Sequence, residues 1–283
     1  MSATTRTREI AVGVSSFGAR TPTLPPATHT QSYALGTREL LLVEPSTPYE
    51  DEQRDWLEWA RALVSTGREL RAIVLTHHHA DHVGGAEHFA RELGAPLWAH
   101  EETAKRLPQL SISRQLHDDE ELVLEGESAQ RWRVLVTPGH APGHVCLFEQ
   151  RLGVVVVGDM VASEGTILIE PGDGDMSLYI AQLRRLEALG ARTALPAHGA
   201  PIADPSRLFA HYVSHRLMRE QKVLDAVKQS GPAGATAEDL LPSAYADTPR
   251  VAWPLAHLSI RAHLSKLGDD GLVKRDGERY FAL

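Results

Sequence analysis

The chain has 283 residues, 42% of them hydrophobic, and a formal net charge of −8, enough apolar material for one full catalytic core and a small second domain. No apolar run reaches membrane-spanning length and the first ten residues lack the apolar stretch of a secretory signal, so a membrane span and export are both unexpected and the cytoplasm is the default location. Residues 1–204 hold 18 Lys and Arg against 28 Asp and Glu, while residues 205–283 hold 11 against 9; the acidic main part argues against a nucleic-acid binder held by phosphate attraction.

In chain order, Glu39-Leu40-Leu41-Leu42-Val43 reads as a buried strand, Glu52 to Val64 as a helix and Ala72-Ile73-Val74-Leu75 as a second strand. A loop follows at Thr76-His77-His78-His79-Ala80-Asp81-His82, then a helix over Ala86 to Leu93. Val134-Leu135-Val136 and Val154-Val155-Val156-Val157 predict two more strands, and Met176 to Leu189 a helix. Short apolar strands alternating with helices predict a layered α/β domain. The only cysteine, Cys146, cannot form an intrachain disulfide; beside His144 it reads as a small apolar strand residue rather than a nucleophile.

The pattern changes after Asp204. Phe209, Val213, Leu217, Leu224 and Val227 fall on one face of a long helix, Gly231-Pro232-Ala233-Gly234 breaks it, a short helix covers Ala237 to Leu241, and Pro254 opens another with Ile260, Leu264 and Leu267 on one face. Two short segments flanking Asp276-Gly277 then predict a terminal hairpin. The division is therefore a catalytic domain at 1–204 and a linker helix with a winged helix at 205–283.

Chemistry concentrates at His77 to His82, where four potential metal ligands fall within six positions at a strand's C-terminal end. His77 and His79 can point the same way, while Asp81 and His82 can serve a neighbouring ion; imidazoles with a carboxylate suit a divalent cation. Three further apolar strands end in one ligand type each, at His140, Asp159 and His198. Two adjacent sites use this set more economically than one.

His77-His78-His79-Ala80-Asp81-His82, with Thr137-Pro138-Gly139-His140, Gly158-Asp159 and Ala197-His198-Gly199, resembles the metallo-β-lactamase superfamily. The resemblance implies an αββα sandwich over roughly residues 30 to 204. It implies His77, His79 and His140 at a first metal, Asp81, His82 and His198 at a second, and Asp159 bridging both. It implies two divalent ions, zinc first, with manganese or iron as alternatives. The β-lactamases proper usually place a cysteine at the second site, where this sequence has none, so antibiotic hydrolysis is not the expected primary role. Gly165-Thr166, His211-Tyr212-Val213-Ser214-His215-Arg216 and the winged-helix tail narrow the resemblance to the β-lactamase-like protein 2 group, some members of which are single-stranded-RNA endoribonucleases and whose fungal relatives are carrier-protein thioesterases.

Two ions about 3.5–4 Å apart can share a water, lower its pKa and present hydroxide to carbon or phosphorus. Asp81, beside that water, is the candidate catalytic proton shuttle. His78, His88, His100, His117, His211 and His215 read as ordinary surface or core residues, while His144, four residues after His140, is balanced between core and a role orienting the ligands. The first functional reading is hydrolysis of a small-molecule or acyl ester, thioester or lactone, with Ile167-Leu168-Ile169 as a candidate acyl-pocket lining. The second is single-stranded RNA cleavage, with Arg261, Lys266, Lys274, Arg275 and Arg279 on the recognition helix and wing. A third, non-enzymatic reading is a metal-sensing winged-helix nucleic-acid binder. A homodimer mediated by the tail is left open.

Overall fold

In the computed structural model, which describes residues 6–283, the chain forms two compact units. The first holds residues up to Thr137, Pro142–Thr166 and Gly190–Pro205; the second holds Pro138–Ala141, Ile167–Leu189 and Ser206–Leu283. Segments 138–141 and 167–189 thus cluster with the second unit although they precede residue 204.

The first unit contains two sheets. One runs β1 (Thr7–Ala11), β2 (Val14–Arg20), β3 (His29–Leu35), β4 (Glu39–Val43), β5 (Glu69–Val74), β6 (Leu97–His100) and β7 (Ile112–Leu116) in spatial as in chain order. Pairing is antiparallel from β1 to β4 and parallel from β4 to β7. Parallel neighbours need crossovers, supplied here by α1 (Glu50–Ser65), the one-turn α2 (Ala80–Val83) with α3 (Ala86–Leu93), and α4 (Glu101–Arg106). The other sheet runs β8 (Glu121–Leu124), β9 (Gln130–Val136), β10 (Val145–Glu149), β11 (Val154–Gly158), β12 (Thr193–Pro196) and β13 (Ile202–Ala203), with β11 and β12 parallel.

The uninterrupted apolar run in β4 follows from burial on both faces. Leu41 and Val43 join a cluster with Trp132, Val134, Leu147, Val156 and Leu195 of the second sheet; Leu42 turns the other way, into a cluster with Trp56, Leu57 and Ala60 of α1 and Phe89 of α3. Across the inter-sheet core, the Tyr33 hydroxyl donates to the Pro196 carbonyl at 2.6 Å.

The second unit contains α5 (Met176–Glu187), α6 (Pro205–Gln229), α7 (Ala237–Ala244), α8 (Trp253–Asp269) and a three-stranded sheet of β14 (Ala235–Thr236), β15 (Val273–Asp276) and β16 (Arg279–Ala282). α7 starts on a reciprocal cap between Thr236 and Asp239. Val223, Leu224 and Val227 of α6 bury against Leu240, Ile260, Leu264 and Val273. On the apolar face of α6, Leu217 is 37% exposed while Phe209, Val213, Leu224 and Val227 are buried. One expectation is corrected. The hairpin turn lies one residue later than the Asp276-Gly277 signal suggests: Asp276 pairs with Arg279, and Gly277, with φ of 59°, takes the first loop position. No helix among the described residues is long and apolar enough to cross a membrane.

Candidate metal centre

The first unit gathers its donors at the C-terminal ends of parallel strands. His77 follows β5, Asp159 follows β11 and His198 follows β12. The expected loop after β5 contains a helical turn, since Ala80–Val83 forms α2. Asp81 and His82 therefore project from a helix start while His77 and His79 precede it.

His82 lies at the centre of this group and is fully buried. Its Nε2 stands 3.7 Å from Asp81 Oδ1 and 3.6 Å from Asp159 Oδ1, beyond hydrogen-bond distance. His198 Nε2 stands 3.5 Å from Asp81 Oδ2 and 3.4 Å from Asp159 Oδ1. Donor atoms of Asp81, His82 and His198 all lie within 4.8 Å of one another, and so do those of His77, His82 and Asp159. His77 Nε2 and His79 Nδ1 are 3.1 Å apart. His140 belongs to the second unit, buried, with its Nδ1 2.9 Å from the Leu168 carbonyl.

The hydrogen bonds select which ring nitrogen each imidazole presents. His198 Nδ1 donates to the His29 carbonyl at 3.1 Å, so in the neutral ring Nε2 carries the lone pair. The bond from His140 to Leu168 makes the same selection. His82 Nδ1 lies 3.2 Å from Glu44 Oε2. Burial alone would lower the His82 imidazole, but Glu44, Asp81 and Asp159 outweigh it and hold His82 well above its ordinary value. Burial would raise Asp159, but His82 and His198 hold it well below. Burial would lower His198, and Asp159 lifts it instead. Three buried or half-buried carboxylates thus draw positive charge into this pocket, which is the charge a divalent cation carries. The donor set of imidazole nitrogens and carboxylate oxygens suits zinc or a similar ion.

Glu44 is the contributor that motif reading misses. It follows β4 with φ of 62° and no exposed surface, and its Oε1 accepts from the Thr76 hydroxyl at 2.6 Å. The available signal was a carboxylate ending an apolar strand, the same signal that marks Asp159. His144 is buried, its Nδ1 bonded to Thr137 Oγ1 at 2.8 Å and its Nε2 accepting the Asp159 amide at 3.1 Å. Cys146 is buried in β10 with Sγ 3.3 Å from Thr137 Oγ1. The Ile167-Leu168-Ile169 expectation needs revision, because Ile167 and Ile169 are buried and only Leu168 is half-buried.

A metallo-beta-lactamase superfamily profile matches residues 26–198. The chain belongs to the metallo-beta-lactamase superfamily. A beta-lactamase associated winged helix domain matches residues 236–280 of this superfamily member. Among curated relatives, a Beta-lactamase-like protein 2 homolog of Drosophila melanogaster is 28% identical, covering 87% of this chain and 84% of its own length. An atrochrysone carboxyl ACP thioesterase of Aspergillus fumigatus is 29% identical over 70% of this chain and 60% of its own. The crystal structure of a metallo-beta-lactamase family protein of Thermus thermophilus superposes with a TM-score of 0.76 at 27% identity, covering 96% of this chain and 99% of that one. A beta-lactamase domain protein of Burkholderia ambifaria reaches 0.82 at 21% identity, covering 100% and 95%. The chain is a hydrolase of this superfamily.

Proposed function

We propose that this protein is a binuclear metal hydrolase of acyl compounds: an ester, thioester or lactone. The observation that carries the reading is that the imidazoles of His82 and His198 each stand 3.4–3.7 Å from the carboxylates of both Asp81 and Asp159, with no thiolate among the donors of the first unit. His77 and His79, with His140, would hold one ion; Asp81, His82 and His198 the other; Asp159 would be shared. When bound, such a pair lowers the pKa of a water and polarises a substrate oxygen. Asp81, 16% exposed at its side chain against 11% for Asp159, would take the proton released by that water. Glu44 and the His29 carbonyl would fix the His82 and His198 rings, and burial of the group would limit competing solvent. The acidic first 204 residues suit a substrate other than a polyanion, and the thioesterase relative supports acyl chemistry.

The test is one activity panel on protein loaded with two equivalents of zinc or manganese: p-nitrophenyl acetate, an acyl-CoA, S-lactoylglutathione, a lactone and single-stranded RNA. Acyl turnover that disappears together with metal occupancy in Asp159→Asn supports the reading; no acyl turnover with both ions bound overturns it. A second reading, RNA cleavage, has one observation in its favour. A cleft of about 200 Å³ in the second unit is lined by Arg261, Ser265, Arg275 and Tyr280. RNA turnover below saturation that weakens steeply between 50 and 200 mM salt, roughly 300-fold for six phosphate contacts on a single strand, would favour it; acyl hydrolysis should be nearly salt-independent.

A further inference from the structure

We propose that His144 is a positioning residue: its imidazole holds the backbone of Asp159, and through it the carboxylate, in place between the two sets of ligands. The proposal rests on Asp159 being a metal ligand, as read above. His144 occupies no ligand position itself. Its Nε2 accepts the Asp159 N–H at 3.1 Å, so in that bond Nε2 carries no proton and the ring proton sits on Nδ1, where it donates to Thr137 Oγ1 at 2.8 Å. Both ring nitrogens are thereby engaged in orienting other groups.

The chain around the ring is shaped to receive it. Gly158 has φ of 47°, and a Cβ there would lie 2.5 Å from His144 Nε2 and 3.3 Å from Thr76 Oγ1. The glycine is therefore required on two counts: its backbone conformation and the approach of the imidazole. The same ring lies 5.2 Å, centroid to centroid, from His77. The flanking backbone is fixed as well, with Thr137 N–H on the His144 carbonyl at 2.8 Å and Val145 N–H on the Thr76 carbonyl at 2.9 Å. One buried side chain thus touches the segment that bears His77 and the turn that bears Asp159. A hydrophobic residue of similar size would fill the space but leave the Asp159 amide without its acceptor, and the turn would be free to rotate the carboxylate away.

The experiment compares His144→Leu, His144→Gln and Thr137→Val, each loaded with Co²⁺. The readouts are affinity for each Co²⁺ by chelator competition, the visible d–d spectrum, and kcat and KM separately. His144→Leu should lose about 10–100-fold in affinity for at least one ion, shift the d–d bands, and lower kcat with KM little changed. His144→Gln, whose amide oxygen can accept the Asp159 N–H, should recover much of both affinity and spectrum. Thr137→Val should fall between, because it leaves the acceptor but removes the partner that orients it. If His144→Leu does not fold, the other two variants decide: wild-type behaviour of Thr137→Val, or a folded His144→Gln protein with no affinity recovered, overturns the proposal. So does a folded His144→Leu protein with unchanged Co²⁺ affinity and spectrum, which marks the ring as packing only. Asp159→Asn separates the two levels: retention of both ions in that variant removes the underlying ligand assignment, whereas loss there with no effect of His144→Leu removes only the positioning role.

Discussion

On the proposed ligand set Asp159 binds metal while Glu44 steers a ligand, although both are carboxylates that follow an apolar strand. Glu44 meets Thr76 and His82, so Glu44→Gln keeps an oxygen for the Thr76 hydroxyl while removing the charge opposite His82 Nδ1. Metal affinity should fall roughly 10-fold or more, measured by competition with a chromophoric chelator; unchanged affinity would show that His82 is held by packing alone. Ligand types announced themselves in the sequence because imidazoles and carboxylates are unusual at the ends of apolar strands. Glu44 stayed hidden because its contacts are with Thr76, 32 residues away in the chain, and with His82, and because it sits on a left-handed backbone that no composition signals. His144 was half legible: its distance from His140 suggested involvement, but only the Asp159 amide at its Nε2 reveals what it touches.

Among the elements, those with strong periodicity or uniform apolarity were readable: α3 spans Ala86–Leu93 and β4 spans Glu39–Val43, as the sequence suggests. The first three strands were not. β2 and β3 contain Ser15, Ser16, Gly18, Thr30, Gln31 and Ser32, yet Ser16, Thr30 and Ser32 are buried. Pairing within the fold satisfies polar atoms that look like loop chemistry in one dimension. Ser32 accepts the Trp56 indole N–H at 2.8 Å, and that indole stacks on Phe89 with centroids 3.9 Å apart. Trp56→Ala removes this bridge between β3, α1 and α3 and should cost about 3–5 kcal/mol, read from urea unfolding. A loss under about 1 kcal/mol would mean that α1 repacks without it.

At the scale of the whole molecule, the winged-helix unit carries its own pH sensitivity. His263 of α8 is buried, and burial pushes its imidazole below the ordinary value; Glu220 of α6 opposes this, 3.9 Å away, while Arg216 and Arg219 add to it. The folded unit therefore favours neutral His263, whereas the unfolded chain takes up a proton near pH 6.5. The resulting stability is present above about pH 6.5 and lost as pH falls from there toward the lowered folded value. His263→Gln should flatten the fall in denaturation midpoint between pH 7 and 5; an identical pH profile would remove His263 as its source.

The run from His77 to His82 has a consequence for thermodynamic linkage. Its His77, His79, Asp81 and His82 remain close neighbours along the chain even after unfolding, whereas His140, Asp159 and His198 disperse. On the proposed ligand set an unfolded molecule would keep a partial chelate, whose residual affinity would offset part of the mass-action stabilisation by metal. Denaturation midpoints measured in metal buffers should yield less than about 1.4 kcal/mol per bound ion for each tenfold rise in free metal. The deficit should grow toward high metal concentration, where the unfolded chain itself becomes loaded.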